Sequence, residues 1–211
     1  MSAERQAAGS LVVGICGGSC SGKSSLAHAV LERLEHSAAR LCFDSYYRPL
    51  RHMNKARRDR QNFDHPDSLD HELFIEQLDT LRGGRAVQEP VYDFANHDRL
   101  ARSRRVEPAE LVLVDGILLM AWPEIVRRLH LSIFVDAPEE MRLSRRILRD
   151  VSERGRDEGS VRRQFAETVA PMHARYVQPA AGVAGRVVAG DADLEQLADS
   201  LALELRERLR G

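Results

Sequence analysis

Residues 11–24 read LVVGICGGSCSGKS, and this stretch decides the fold. Its first six residues form a short apolar, β-branched run that predicts a buried strand. Residues 17–24 match the pattern G-x-x-x-x-G-K-[ST] of a phosphate-binding loop, or P-loop. Apolar residues then recur at helical spacing from Ser24 to Leu34. Strand, glycine-rich loop and helix therefore follow one another in the order that the motif requires.

The lysine of this loop supports the assignment. Lys23 and Lys55 are the two lysines among 31 basic residues, and the others are arginines. A P-loop wraps backbone N–H groups around phosphates and leaves room for a compact ammonium group, but not for a planar guanidinium. The alternative is a chance glycine-rich turn, and the flanking strand and helix argue against it.

The loop predicts a site for ATP and Mg²⁺. Gly17 and Gly22 permit a close backbone approach that a side chain would obstruct, and the start of the helix adds its free N–H groups and its dipole. Ser24 is predicted to place its hydroxyl on Mg²⁺. The sequence leaves open whether GTP also serves as the donor. The predicted ATP-binding residues are Gly17, Gly18, Ser19, Cys20, Ser21, Gly22, Lys23, Ser24 and Ser25.

Length and charge indicate the number of domains and the kinds of partner to expect. A chain of 211 residues predicts a single domain over residues 1–211. The formal net charge of −1 argues against binding nucleic acid through bulk positive charge. Met1 to Ser10 is polar and lacks the apolar core of a secretory signal, and Asp115 and Gly116 interrupt the apolar stretch from Leu111 to Trp122. We therefore expect a cytoplasmic protein that binds neither nucleic acid nor membranes.

Strand and helix patterns alternate along the chain, as is typical of a parallel sheet with crossover helices. The expected fold is α/β, a P-loop NTPase fold with a parallel sheet of about five strands flanked by helices. The predicted strands after the first are Ala39–Phe43, Leu111–Val114, Leu131–Val135 and Arg186–Val188, with a short edge strand over Pro90–Phe94. The predicted helices after the first are Glu72–Leu81, Glu139–Glu153, Val161–Val177 and Leu194–Leu209.

Two acids end predicted strands at the edge of the sheet where ligands gather in such folds. Asp44 follows the second strand, and Asp115 follows four apolar residues of the third. This pattern suits a Mg²⁺-linked acid of a P-loop enzyme, although an acid that merely caps a strand is a common alternative for either residue alone. A kinase must also deprotonate an acceptor hydroxyl, and Asp44 is the candidate for this general base.

Several further blocks resemble the uridine–cytidine kinase family, which belongs to the wider group containing phosphoribulokinase and pantothenate kinase. They follow one another in the family's order from about residue 11 to residue 179, and the Phe-Asp-His-Pro and Tyr-Asp-Phe-x-x-His blocks are more specific than a P-loop alone. Besides the P-loop, the blocks are Asp44–Arg48, Asn62–Asp67, Pro90–Arg99, Asp115–Leu118 and Arg145–Arg156.

The resemblance implies an ATP-dependent kinase that phosphorylates the 5′-hydroxyl of uridine and cytidine. In that family Asp44 corresponds to the catalytic base, and Ser24, Asp44 and Asp115 to the residues around Mg²⁺. Asp64 corresponds to the carboxylate that binds the ribose 2′- and 3′-hydroxyls, a task that suits an acceptor with two oxygens. The remaining substrate-binding residues that the resemblance implies are Tyr47, Phe63, Tyr92, Phe94, His97, Arg146, Arg156 and Gln164.

Base recognition and closure of the site also follow from the resemblance. Aromatic faces are expected to hold the pyrimidine, and the His97 imidazole can meet the 4-oxo group of uracil or the 4-amino group of cytosine. Arg149 and Arg154 correspond to residues of a helical lid that act with Lys23 in catalysis by neutralising phosphate charge. The family also implies a small substrate-binding insertion and a homo-oligomer, by analogy a tetramer.

The sequence departs from the family at points that bear on function. Asp115 stands where many relatives have glutamate, and its side chain is one methylene shorter. The sequence therefore leaves open whether Asp115 contacts Mg²⁺ directly or through water. Ala180 to Gly190 lacks the family's usual Asp-Val-Ile-Ile-Pro pattern, which leaves the adenine-side contacts open. Two alternatives stay in view: a kinase of the same group acting on phosphoribulose, pantothenate or another riboside, and a nucleotide-dependent switch protein.

Overall fold

A parallel five-stranded sheet forms the centre of the protein in the computed structural model, which describes residues 9–34, 38–58 and 60–210. The prediction of one domain over residues 1–211 therefore includes short segments outside the described residues, among them most of the Met1–Ser10 stretch. The strand order is β2-β5-β1-β6-β7. These strands are β1 (Leu11–Gly17), β2 (Ala38–Cys42), β5 (Leu111–Gly116), β6 (Leu131–Asp136) and β7 (Arg186–Ala189).

The predicted parallel sheet is confirmed, and its register explains where the functional acids lie. β1 and β5 are almost wholly buried, as expected for strands that helices cover on both faces. Ile15 of β1 and Cys42 of β2 both pair with Asp115 of β5. Because the strands run parallel, the P-loop after β1 and the residues after β2 emerge on either side of Asp115.

Helices cover the two faces of the sheet. α1 and α8 pack on one face, where Leu26 and Val30 meet Leu201 and Leu205. On the other face, Phe43, Phe74 and Phe134 belong to a second buried cluster. The helices are α1 (Lys23–Leu34), α2 (Lys55–Arg58), α3 (His71–Arg82), α4 (Pro123–Val126), α5 (Glu139–Arg154), α6 (Glu158–Gln164), α7 (Ala170–Met172) and α8 (Leu194–Arg210).

The structure corrects several predicted elements. The second strand ends at Cys42, and Phe43–Tyr46 forms a 3₁₀ turn that carries Asp44 away from the strand. The helix predicted over Val161–Val177 is divided into α6, two π-helical segments and α7. Pro171 lies in α7, where its missing N–H and its ring prevent an uninterrupted α-helical ladder.

An antiparallel hairpin, β3 (Val87–Asp93) and β4 (Asp98–Val106), forms the insertion beside the main sheet. The sequence predicted only the short strand Pro90–Phe94, because the many arginines of β4 conceal its strand pattern. Glu89 fastens the hairpin to β2: one carboxylate oxygen accepts from the Cys42 N–H at 2.6 Å, and the other from Arg104 Nε at 2.7 Å. No helix in the described part of the chain is long and apolar enough to cross a membrane.

Candidate active site

The P-loop leaves β1 in a conformation that its glycines make accessible. Gly17 has φ +151°, and a Cβ atom there would lie 2.6 Å from the Val135 carbonyl oxygen. Gly22 has φ +106°, just before α1 begins at Lys23. Both values lie where residues with a side chain are strained. Cys20 also has a positive φ, at 61°, so the loop holds one residue without the freedom of glycine.

Lys23 and Asp44 face each other across the mouth of the P-loop. The Lys23 ammonium lies 3.9 Å from Asp44 Oδ2, and the Ile117 N–H donates to Asp44 Oδ1 at 3.1 Å. Burial raises the pKa of the Asp44 carboxyl, while the Lys23 charge opposes this rise. Asp44 is thus held in place through one oxygen, with the other directed toward the Lys23 ammonium.

Asp115 has quite different surroundings. Its side chain is fully buried and accepts two hydrogen bonds from the Arg40 guanidinium, at 2.8 and 2.9 Å. The Ser24 hydroxyl donates to the same carboxylate at 3.0 Å. Both oxygens therefore already have partners. Contact between Asp115 and Mg²⁺, direct or through water, stays a prediction, and in this arrangement the carboxylate is engaged by Arg40 and Ser24.

A cavity of about 800 Å³ opens in front of Lys23 and Asp44. Asp115 does not line this cavity, although Ser24 and Arg40 do. The predicted substrate-binding, catalytic and lid residues that line it are Lys23, Ser24, Asp44, Tyr47, Phe63, Asp64, Tyr92, Phe94, His97, Arg146, Arg149, Arg154, Arg156 and Gln164. The fold thus brings together residues that lie more than 130 positions apart in the sequence.

Aromatic rings form the wall of the cavity next to the hairpin. His97 and Phe63 stack with ring centroids 4.6 Å apart and an interplanar angle of 15°. Tyr47 packs against Phe63, Tyr92 and Phe94 with centroid distances of 5.7, 5.0 and 6.4 Å. His97 has φ +51° at the hairpin turn, a conformation that histidine adopts more readily than bulky apolar residues. We conclude that the wall offers flat apolar faces together with a polar ring edge.

Asp64 and a group of polar side chains lie between the aromatic wall and the P-loop. Asp64 is 9% exposed, and burial raises the pKa of its carboxyl while Arg146 opposes the rise. Arg146 donates to Gln164 Oε1 at 3.1 Å and to the Ser19 hydroxyl of the P-loop at 3.0 Å. Arg156 donates to the same Gln164 oxygen at 2.5 Å.

Two residues of this region were missed by the sequence analysis. Asp150 lies among the arginines of α5 with no exposed side-chain surface, and Arg40 pairs with Asp115. A signal existed for each. Asp150 lies four residues after Arg146 and four before Arg154, a spacing that places ion-pair partners side by side on a helix. Arg40 is a single charge inside the otherwise apolar strand β2, a pattern that favours an ion-pair partner nearby.

A second cavity, of about 490 Å³, lies on the other side of the P-loop. It is bordered by the P-loop residues from Cys20 to Ser25 and by the segment between β7 and α8. Arg145 reaches across from α5 and donates to the carbonyl oxygens of Ser21 and Gly190 at 3.3 and 3.0 Å. This space adjoins the region whose sequence departs from the family pattern. Gly17 and Gly18, at the start of the P-loop, line neither cavity.

The chain is similar in sequence to known uridine kinases. A uridine kinase of Chloroflexus aggregans is 44% identical over 170 residues, which cover 80% of this chain and 81% of that protein. A uridine kinase of Ligilactobacillus salivarius is 35% identical over 201 residues, covering 95% of this chain and 94% of the relative.

A structural comparison shows the same fold. The crystal structure of a candidate fructose transport system kinase from Silicibacter sp. TM1040 superposes with a TM-score of 0.72 at 21% identity, covering 85% of this chain and 90% of that one. Residues 12–190 match the family described as Phosphoribulokinase / Uridine kinase. With a match over most of its length and relatives well above 30% identity, the chain belongs to the Phosphoribulokinase / Uridine kinase family.

Proposed function

We propose that the protein transfers the γ-phosphoryl group of ATP to the 5′-hydroxyl of uridine and cytidine. The observation that carries this proposal is the single cavity in which the P-loop lysine, a buried aspartate and an aromatic wall meet. Such a cavity holds donor phosphate and acceptor together, as an in-line transfer requires. The names of the curated relatives point to the same reaction.

Asp44 acts in this proposal as the general base. Its Oδ2 lies on the Lys23 side of the cavity, where the acceptor hydroxyl must approach the γ-phosphate. Because burial raises its pKa, the carboxylate is a better proton acceptor than a solvated aspartate. Asp44 thus faces the acceptor side of the transferred phosphoryl group, and Lys23 supplies a positive charge for the phosphates on its donor side.

Asp64 and the aromatic wall select the acceptor. The buried Asp64 carboxylate accepts hydrogen bonds from the ribose 2′- and 3′-hydroxyls, with Arg146, Arg156 and Gln164 completing the polar contacts. Phe63, Phe94, Tyr47 and Tyr92 enclose the pyrimidine, and His97 meets its polar edge. A ring that donates at one nitrogen and accepts at the other serves both uracil and cytosine.

Ser24 and Asp44 fit Mg²⁺ because both offer the hard oxygen ligands that this ion prefers, in addition to those of the phosphates. When bound there, Mg²⁺ would neutralise the negative charge that develops on the phosphates during transfer. Asp115 supports this site through Ser24, to whose hydroxyl it is hydrogen-bonded. Within the described residues no cluster of three or more His, Cys, Asp or Glu side chains could hold a metal alone.

The donor nucleotide extends from the P-loop into the second cavity. Arg149 lines both cavities, and Arg154 stacks over Phe94 with its guanidinium carbon 5.3 Å from the ring centroid. These two arginines neutralise the charge of the transferred phosphoryl group when the lid closes. ATP is the proposed donor, with GTP as the competitor to be tested. A cytoplasmic homo-oligomer, by family analogy a tetramer, completes the proposal.

A coupled assay of ADP release with a panel of acceptors tests this function. We expect release to depend on uridine or cytidine, with phosphoribulose and pantothenate inactive. 2′-Deoxyuridine should have a kcat/KM lower by at least ~10-fold, because a buried Asp64 would lose one hydrogen-bond donor. ADP release without an acceptor would indicate a nucleotide switch instead, and equal use of uridine and 2′-deoxyuridine would remove the role of Asp64.

A further inference from the structure

Asp150 is a buried carboxylate to which the proposed reaction gives no role. It lies in the last part of α5 with no exposed side-chain surface. Four arginines that line the large cavity contact it, namely Arg146, Arg149, Arg154 and Arg156. Burial acts to raise the pKa of Asp150, but Arg149, Arg146 and Arg154 together hold that pKa below its ordinary value. The side chain is therefore a negative charge at the centre of a positive cluster.

The two oxygens of Asp150 divide these arginines into two pairs. Oδ1 accepts a hydrogen bond from Arg149 Nε at 2.9 Å, and it lies 2.8 Å from Arg149 Nη2 and 3.4 Å from Arg154. Oδ2 lies 3.4 Å from Arg156 and 3.6 Å from Arg146. The first pair comprises the arginines proposed to act on the phosphates, and the second comprises those proposed to contact the nucleoside. One carboxylate thus joins the two halves of the site.

Beyond Asp150, these arginines reach into both halves of the site. Arg149 borders both cavities, and so stands between the space for the nucleotide and the space for the acceptor. Arg146 and Arg156 share the Gln164 carbonyl oxygen, and Arg146 also reaches the Ser19 hydroxyl of the P-loop. When a ligand attracts one pair of arginines, that pair interacts less with Asp150. The carboxylate then interacts more strongly with the other pair.

We propose that Asp150 is a positioning residue that couples the binding of the nucleoside to the binding of the nucleotide. Four guanidinium groups around one carboxylate leave a local excess of positive charge, and this excess keeps the arginines mutually repelled. Phosphates that enter the site take up Arg149 and Arg154. Asp150 then holds Arg146 and Arg156 more firmly in the arrangement that contacts the acceptor. Each ligand therefore binds more tightly in the presence of the other.

The coupling can be measured without turnover. Uridine binding is followed by calorimetry in the presence and absence of Mg²⁺ and a non-hydrolysable ATP analogue, for the wild type, Asp150→Asn and Glu153→Gln. The Glu153 variant is a matched control, because it removes one negative charge from the exposed face of the same helix. We expect the analogue to tighten uridine binding by ~5-fold or more in the wild type and the control, and hardly at all in Asp150→Asn. Linkage requires uridine to change the analogue's affinity by the same factor.

An unchanged coupling factor in folded Asp150→Asn would overturn the proposal. The proposal rests on the proposed function, so the binding of each ligand alone is measured first. If the wild type does not bind uridine, the proposed function is contradicted. If it binds uridine but the coupling factor does not depend on Asp150, only the coupling is contradicted. If Asp150→Asn does not fold, Arg149→Gln, Arg156→Gln and the double variant carry the test. Non-multiplicative effects of the two substitutions on kcat/KM support the coupling, and multiplicative effects overturn it.

Discussion

The large cavity has two walls that are built in different ways. The sheet wall consists of Lys23 and Ser24 of the P-loop together with Asp44, which follow parallel strands held in register by backbone hydrogen bonds. Asp115 of β5 supports this wall from behind and does not itself line the cavity. The hairpin wall consists of Asp64, Phe63, Phe94 and His97, which lie on turns and loops held by side-chain packing. In the proposed function, the sheet wall serves phosphate transfer and the hairpin wall holds the acceptor.

The two constructions lead to different expectations for substitutions. Groups on the sheet wall are proposed to stabilise charge and to move a proton during phosphoryl transfer, so their loss is expected in kcat. Groups on the hairpin wall are proposed to hold the acceptor before and during transfer, so their loss is expected mainly in KM. The comparison also separates the two acids of the sheet wall, because Asp44 faces the cavity while Asp115 is enclosed by Arg40 and Ser24.

The largest effect is expected for Asp44→Asn. The amide keeps the size of the side chain but accepts no proton, so kcat should fall by ~10²-fold or more while the affinity for ATP changes little. Steady-state kinetics with both substrates measure this split. Asp199→Asn serves as the control, since Asp199 lies on α8 in an ion pair with Arg33. A kcat near the wild-type value would remove the general base from Asp44.

A different result is expected when the enclosed acid of the same wall loses its partner. Arg40→Met leaves the Asp115 carboxylate buried without its guanidinium, and we expect a loss of about 3 kcal/mol in the free energy of unfolding. Chemical denaturation followed by circular dichroism measures it. Arg40→Met combined with Asp115→Leu should recover most of the loss, because no charge then stays buried. A single variant as stable as the wild type would show that this ion pair does not stabilise the sheet wall.

On the hairpin wall, protonation of Asp64 should make KM for uridine depend on pH. Burial raises the pKa of Asp64, so its carboxyl becomes protonated on acidification at a higher pH than an ordinary aspartate. Protonation removes hydrogen-bond acceptor capacity, and KM for uridine should therefore rise by up to ~10-fold per pH unit below that pKa. KM is measured from mildly acidic to neutral pH in the wild type and in Asp64→Asn. The variant should lack this acid limb, and its persistence would assign the limb to another group.

Much of the sheet wall was predictable from the sequence. An apolar run, a glycine-rich loop and a lysine at a fixed spacing predict the P-loop, because backbone geometry and phosphate chemistry impose that spacing directly. Asp44 and Asp115 followed from their places at strand ends. The partner of Asp115 did not, since only the strand register shows that Arg40 of β2 lies beside β5.

The hairpin wall was predictable only through the resemblance to a family. No periodicity places Phe63 against His97, because the two residues lie on separate loops that the fold brings together. The arginines of β4 conceal a strand that pairs with β3. Most of their side chains are exposed to solvent, and Arg104 pairs with Glu89, so the charges do not prevent the strand from forming. The π-helical segments around Pro171 are likewise a tertiary outcome that helical spacing alone does not reveal.

The smallest effect, and the sharpest test of the hairpin wall, is expected for His97. Its ring stacks on Phe63 at 4.6 Å, so His97→Leu keeps bulk at this position but removes the polar edge that we propose to meet the pyrimidine. Within the ~1–3 kcal/mol expected for a buried polar group that loses its partner, the loss should be about 1.4 kcal/mol in transition-state binding, or roughly 10-fold in kcat/KM, for uridine and cytidine alike. KM for ATP should hardly change, because Lys23 and Ser24 lie on the other wall.

One structural feature decides how this variant must be controlled. His97 has φ +51°, where leucine is strained and asparagine is tolerated. His97→Asn therefore separates the strain of the turn from the loss of the polar contact. If thermal melting shows a loss of stability for the leucine variant alone while kcat/KM falls in both, the contact made by the imidazole is the cause. If both nucleosides kept wild-type kcat/KM with leucine at this position, the pyrimidine would be recognised elsewhere, and the hairpin wall would contribute shape without reading the base.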